Sequence, residues 1–431
     1  MSARVLLVGC TGGAPSTGAG ACIARTRRFG MALESAGFEV VTLSPPEGRR
    51  GARAVGRALD EASFDCAVLI SPFPAEAAAL GRPGLPLWVD MNGMHPAEML
   101  LRSTDSGRAA EHMLRILALE NLLLRTCDRF SCPSRRQADA LMGELLLLGR
   151  LDSSAAGTVP VSAIPHCAMP GAPFREEEAI RGPSGVNVLS AGAFNVWFDH
   201  LTLFAALETA MSREPSITFT CAGGAVPFSP GSYLEFEEMA RSSRFADRFR
   251  LLGWLDEKAL EEVYENATMA VYADLPGAET RLGARTRVLD WVSRGIPVVC
   301  TLGAEISEDI RDGGLGIVVP QGDPEALTEA LIRLASSREL AREIRSRQRA
   351  WCEGPGSMDR VFEPLVSWCS SPSRLPQGAL ARPTAHRLDS PGYLAAIFRV
   401  VAREQGVPRA LYRLLEKLVP VLKRLRKPGR G

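Results

Sequence analysis

DLPGAETRLGARTRVLDWVSRGIPVVC, residues 274–300, is the stretch from which the fold can be read. It follows an apolar strand, Met269 to Ala273, and opens as a loop broken by Pro276 and Gly277 that carries Glu279. A helix is expected from about Ala284 to Arg294, then a short buried strand, Ile296 to Cys300. Val288, Leu289 and Val292 recur at helical spacing and mark the face that packs on a sheet. Arg285 falls on that same face. A buried unpaired guanidinium costs several kcal/mol, so it needs an anionic partner. A diphosphate at the helix N-terminus would serve, aided by free backbone N–H groups and the helix dipole; so would a carboxylate of a neighbouring domain.

Outward from this stretch the same strand–helix alternation recurs. Arg4 to Gly9, a helix from about Gly20 to Ala36 and Glu39 to Leu43 form an opening βαβ unit of a doubly wound parallel sheet. Strands follow at Asp65 to Ile70, Pro86 to Asp90, Arg129 to Cys132 and Val159 to Ile164, with a long helix at about Gly107 to Arg125. Residues 171–185, charged and flanked by Gly and Pro, read as a hinge. A second series begins at Val186 to Ala191 and continues through Ser216 to Cys221, Arg248 to Leu252, Met269 to Ala273, Ile296 to Cys300 and Leu315 to Val319. The expected domains are 1–170 and 186–350, then a crossing helix within 351–370 and a tail, 371–431, that is linker followed by helix.

At 431 residues, with 46% hydrophobic and 23% charged content, the chain is of ordinary globular type and long enough for two or three domains. No apolar run reaches the roughly 18–20 residues of a membrane span, and the N-terminus reads as strand and turn, so the cytoplasm is the expected location. The ten cysteines are scattered without a C-x-x-C pair and read as reduced, buried small hydrophobes. Charge is uneven. From Pro391 onward there are ten Lys/Arg against two Asp/Glu, leaving 40 against 47 in the remainder. In that tail Leu411, Leu414, Leu415, Leu418, Leu422 and Leu425 share one helical face, ringed by Arg413, Lys417, Arg424, Arg426 and Lys427. Such a helix suits an anionic membrane surface; docking on the protein with its charges in solvent is the other reading.

The glycines after the first strand do not make a dinucleotide fingerprint: G-x-G-x-x-G spacing is absent and Leu43-Ser44-Pro45 supplies no acid. A nicotinamide dehydrogenase is therefore not expected. Gly18 and Gly20 either let backbone approach a ligand or form a loose turn. Asp90, Asn92 and His95 stand where an open sheet places its ligands. Asp90 is read as a polar contact residue and His95 as a sugar or acceptor contact, or else a structural histidine. Ser134 and Gln137 form a capping box, and Asp199 an N-cap. Gly192 and Trp197 lie in the loop after the second domain's first strand; Trp197 covers a nucleotide or sugar face, or packs on its own helix.

ETRLGARTRVLDWVSRGIPVV resembles the GT-B glycosyltransferases of family 4, "glycosyl transferases group 1", and in its Arg-Thr-Arg-Val-Leu-Asp run a bacterial surface-polysaccharide subset. The family carries a Glu, seven residues, a second Glu and a Gly-x-Pro-Val tail. Counted back from Gly295-Ile296-Pro297-Val298, the second Glu falls on Asp290 and the first on Leu282, with Glu279 three residues earlier. CPSRRQADALMGELLLLGRL is similar to a second pattern of the subset. The resemblance implies a GT-B fold: two Rossmann-like domains facing a cleft, plus the helical tail. It implies transfer of a sugar from a nucleotide diphosphate sugar to a glycan or lipid-linked acceptor, with retention, and with no cofactor and no nucleic acid. Glu279 would bind donor-sugar hydroxyls and Asp290 the ribose; pairing of Asp290 with Arg287 at i, i+3 is the structural alternative. The Arg and Lys by which relatives hold the diphosphate are missing between Val186 and Met211, which passes that task to Arg285 and Arg287. No Asp-x-Asp is present, which favours a metal-independent reaction. A degenerate binding protein and a nucleotide-sugar epimerase or hydrolase are the alternatives.

Overall fold

The computed structural model describes residues 3–12, 20–46, 48–81, 84–102, 106–151, 157–169, 171, 174–175, 185–226, 230–376, 395, 398, 402, 407–408 and 410–411. Its first domain runs β1 (Arg4–Val8), α1 (Gly20–Ser35), β2 (Glu39–Leu43), α2 (Gly48–Glu61), β3 (Cys66–Ile70), α3 (Pro72–Gly81), β4 (Leu87–Asp90), α4 (His95–Arg102), α5 (Ser106–Thr126), β5 (Arg129–Cys132), α6 (Arg135–Leu147) and β6 (Val161–Ala163). The second runs β7 (Val186–Ala193), α7 (His200–Arg213), β8 (Ile217–Gly224), α8 (Gly231–Ser242), β9 (Phe249–Leu251), α9 (Glu257–Glu265), β10 (Met269–Tyr272), α10 (Ala278–Leu282), α11 (Thr286–Ser293), β11 (Val298–Thr301), α12 (Glu305–Gly313), β12 (Gly316–Val319), α13 (Pro324–Ser336) and α14 (Arg338–Glu353). A last helix, α15, spans Met358–Ser370.

Each domain is built on a six-stranded sheet in which every pairing is parallel, ordered β2-β1-β3-β4-β5-β6 and β12-β11-β10-β7-β8-β9. Helices cover both faces of such sheets, so central strands are apolar throughout: Cys66–Ile70 and Met269–Tyr272 are buried at every position. The second sheet reverses direction between β7 and β10, the topological switch point at which open α/β sheets hold ligands. Gly192 closes one of those strands and Asp274 follows the other.

The chain returns to the first domain at its end. In α15, Phe362 meets Phe29 edge-on at 4.9 Å and Trp368 lies 5.6 Å from Trp88, while Met358, Val361 and Leu365 join the core under β1 and β3. Of the tail, Ala410 is fully buried in a small cluster with Leu114, Ala118, Phe398 and Ala402, so this part docks on α5. Leu411 is exposed; the rest of the basic leucine-lined face lies outside the described residues, as does most of the hinge. Among the described residues no helix is long and apolar enough to cross a membrane.

The helix expected at about 284–294 is in fact two. Gly283 separates α10 from α11, and Arg285 is the non-helical N-cap of the latter, at φ −96°, ψ 72°. A side chain at 283 would place its Cβ 2.5 Å from Glu279 Oε1, so the break keeps room for what Glu279 binds.

Candidate active site

What Glu279 binds is Arg285. Nη1 and Nη2 of the guanidinium donate to Glu279 Oε1 and Oε2 at 3.0 and 2.7 Å, and Nε donates to Asp274 Oδ1 and Oδ2 at 2.8 and 2.9 Å. Nη2 also reaches Thr280 Oγ1 at 3.2 Å. All three charged side chains are at least 95% buried. The Trp197 ring covers the guanidinium, 5.6 Å from Cζ to the ring centroid, so it shields an arginine instead of a nucleotide or sugar. Burial pushes the Asp274 and Glu279 carboxyls up, with Arg285 opposing; burial alone would push the guanidinium down, and the carboxylates outweigh it.

This corrects two sequence expectations. Arg285 does need an anionic partner, but its own domain supplies two carboxylates, and four of its five N–H groups are engaged with them and with Thr280. Glu279 faces that arginine, so its oxygens are not turned to a sugar. The motif's charges form a buried brace under the switch point.

Arg287 is placed differently. It is in the first turn of α11 and its guanidinium lies against Gly192: a Cβ there would stand 2.9 Å from Arg287 Cζ, and Gly192 holds φ at +103°, where a side chain is strained. Nη1 donates to Ala193 O at 3.0 Å, and Cζ lies 5.2 Å from the Tyr272 ring centroid. It enters no ion pair among the described residues. The cation at the carboxyl end of β7 thus comes from α11; the loop after β7 carries neither Arg nor Lys.

Asp290 is neither a free ribose contact nor the partner of Arg287. It pairs with Arg28 of α1 across the cleft, because α11 turns this face toward the first domain. Burial pushes its carboxyl up, but Arg28, with His166 and Arg294, holds it below the usual range.

Asp90 and His95 are also corrected. Asp90 is fully buried, accepts from Arg25 Nε at 3.0 Å and from Ser131 Oγ at 2.7 Å, and belongs to the first domain's core. Arg25 also donates to Ile164 O, tying α1, β4 and the end of β6 together. His95 opens α4 with its ring edge-on to Phe73 and Nδ1 3.8 Å from Glu120 Oε1, turned into its own domain. Gly20 starts α1 with no described atom within 4 Å of where a Cβ would go; Gly18 lies outside the described residues. Ser134 caps α6, accepting from Gln137 N at 3.1 Å, but the Gln137 side chain does not return to the cap: it donates to Met91 O and Gly93 O.

Glu120 carries a pH prediction. Burial, aided by Glu144 and Glu98, pushes its carboxyl up to about 8 from 4.5. The folded state then binds more protons than the unfolded one between those values, so this group's contribution is full below about pH 4.5 and lost as pH rises through 8. Glu120→Gln is expected to raise the unfolding temperature at pH 9 and flatten its decline from pH 6; thermal scans at both pH values check this.

The domains are clasped shut. Backbone N–H groups of Arg135 and Arg136, at the start of α6, donate to Glu305 Oε1 and Oε2 at 2.9 and 2.7 Å; Glu305 begins α12 of the other domain. Arg135 pairs with Asp309 and Arg136 with Glu308, while Ser134 Oγ donates to Leu282 O. Inside lies a cavity of about 40 Å³ lined by Ser134, Ala163 and His166 on one side and Gly283, Arg285, Thr286 and Leu289 on the other. Sites for small ligands run to roughly 300–1,000 Å³, so this cavity takes a substrate only when the domains part. A carboxylate on a helix N-terminus is worth about 0.3–2 kcal/mol. Glu305→Ala is therefore expected to open the molecule, enlarging its radius of gyration in small-angle scattering; an unchanged radius would show that the clasp does not set the angle.

Sequence reasoning did not single out His166, Arg28 or Glu305. Arg25 and Arg28 carried a usable signal: arginines at i, i+3 on the same helix face as Cys22, Phe29 and Ala32.

Residues 185–337 match the family described as glycosyl transferases group 1. Solved structures with the same fold include sucrose-phosphate synthase from Thermosynechococcus elongatus, at 14% identity and TM-score 0.63, covering 85% of this chain and 98% of that one. HepE of Anabaena in complex with UDP-glucose aligns at 15% identity and TM-score 0.57, over 86% of this chain and 100% of that one. WaaG, a glycosyltransferase involved in lipopolysaccharide biosynthesis, aligns at 12% identity and TM-score 0.58, over 85% and 100%. The chain has the GT-B fold, and its second domain matches the group 1 glycosyl transferases. No curated protein matches it. In this GT-B frame the cleft between the domains, lined by Gly283, Arg285 and Thr286 on one side and by Ser134 and His166 on the other, with Arg287 against Gly192 at the carboxyl end of β7, is the candidate active site.

Proposed function

We propose that this GT-B protein transfers a sugar from a nucleotide diphosphate sugar to a glycan or lipid-linked acceptor, retaining anomeric configuration and using no metal or cofactor. One observation carries the reading: at the switch point of the second sheet, Arg287 presents a guanidinium that bonds one backbone oxygen and no carboxylate among the described residues. Departure of a diphosphate leaves negative charge, and a fixed guanidinium beside the first turn of a helix stabilises that charge where it develops. The group 1 domain supports it, as does the description of HepE as a complex with UDP-glucose. Asp274, Glu279 and Arg285 serve by holding the start of α11 in place.

Calorimetry with UDP-, GDP-, ADP- and dTDP-sugars tests the reading: at least one binds, and product analysis finds sugar on an added acceptor. Free sugar or an epimer without acceptor would make it a hydrolase or epimerase. Binding without turnover would favour a protein that has lost catalysis, a reading motivated by the engagement of Glu279 with Arg285. No binding would overturn the proposal. The tail's basic face suits an anionic membrane surface that brings the enzyme to a lipid-linked acceptor; co-sedimentation with phosphatidylglycerol vesicles, lost on removing residues 412–431, is the expected result.

A further inference from the structure

His166 stands out among the buried polar groups. It is 2% exposed, it lines the cavity between the domains, and neither ring nitrogen has a hydrogen-bond partner among the described residues. Buried polar atoms in folded proteins are nearly always paired, and those that are not call for an explanation. Looseness does not supply one. The residue follows Pro165 in a segment pinned on both sides, by Ile164 N donating to Cys132 O at 2.8 Å and Ala168 N donating to Gly356 O at 2.9 Å, while Arg25 holds Ile164 O. The backbone of His166 is thus fixed at the carboxyl end of β6, and its side chain lines the cavity opposite the start of α11.

Its protonation state is set by what surrounds it. Burial and the neighbouring Arg28 guanidinium push His166 down to about 4, with Asp290 opposing, so the ring is neutral at pH 7. A neutral imidazole has one N–H and one acceptor nitrogen. Asp290 Oδ1 lies 3.9 Å from Nδ1, which favours the proton on that nitrogen and leaves Nε2 as an acceptor. An acceptor calls for a ligand that donates, which excludes a phosphate oxygen and fits a hydroxyl.

We propose that His166 is a substrate-binding residue, its Nε2 accepting a hydrogen bond from a hydroxyl of the nucleotide sugar held between the domains. This rests on the nucleotide-sugar reading above. It adds a first-domain contact to a ligand otherwise held by the second, so that domain closure and donor binding reinforce each other.

The test uses the full chain labelled with 15N-histidine, titrated with UDP, GDP, ADP and dTDP and with the glucose conjugate of each. The Nε2 resonance of His166, assigned by its loss in His166→Phe, is expected to move upfield from the unbonded-acceptor position when a binding nucleotide is added. A move with the nucleoside diphosphate alone assigns the contact to the ribose; a move only with the glucose conjugate assigns it to the transferred sugar. His166→Phe, which keeps the ring and removes both nitrogens, is expected to weaken binding about tenfold. It should leave the unfolding temperature without ligand unchanged or higher, an outcome a purely structural histidine would not give. If a nucleotide binds and Nε2 does not move, or the Phe variant binds as tightly, the proposal falls while the nucleotide-sugar reading stands. If no nucleotide binds, both fall.

Discussion

Arg285→Met is expected to cost about 3–5 kcal/mol of stability, because it leaves the carboxylates of Asp274 and Glu279 buried together without a counter-charge. Both would have to take up protons to stay buried, so the loss should be smaller at pH 5 than at pH 8. Denaturant unfolding at the two pH values measures this. Replacing the whole cluster by apolar residues of similar volume, with Asp274→Leu and Glu279→Met added, should recover most of the loss, since breaking a buried pair costs far more than removing it. A variant as stable as the parent yet unable to bind nucleotide would show instead that the guanidinium is spent on the ligand. Inactivity of an Arg285 variant is therefore no sign of a phosphate contact unless its folding has been measured.

Arg287→Ala should behave in the opposite way. A guanidinium–phosphate contact contributes about 1.5–3 kcal/mol, so nucleotide-sugar affinity is expected to fall roughly ten- to a hundredfold. Arg287 also helps hold the Asp274 carboxyl down, and a modest drop in unfolding temperature should accompany the loss. Gly192→Ala provides the control for position: its Cβ would collide with the guanidinium at 2.9 Å and force it aside while leaving every charge in place. Both variants are read by calorimetry, with thermal unfolding alongside. If Gly192→Ala binds normally, the location of the cation is not what matters.

The two sheets were legible because parallel strands buried on both faces leave continuous apolar runs, as in Cys66–Ile70 and Met269–Tyr272. The stretch that carries the family resemblance lies within residues 185–337, which match the group 1 glycosyl transferases. Hydrogen-bond partners were less accessible, since they are fixed by tertiary packing. The rule that a guanidinium in an apolar stripe needs an anion held for Arg285, but Asp274, which supplies half of it, reads in sequence as the first residue of a loop. The same rule on α1 would have drawn attention to Arg25 and Arg28, whose carboxylates lie 65 and 262 residues away. Glu305 gave no signal, because EISEDIRDG is an acidic surface helix until another domain's helix N-terminus meets it. His166 was hidden for a related reason: a histidine in a proline turn acquires meaning only when a second domain closes over it.

The mechanism turns on which arginine meets the departing diphosphate. A crystal structure with a bound nucleotide decides it most directly. The predicted result is a diphosphate within hydrogen-bond distance of Arg287 and the first N–H groups of α11, with Arg285 still held by Asp274 and Glu279. A diphosphate on Arg285, released from its two carboxylates, or a nucleotide bound outside the cleft, would contradict it.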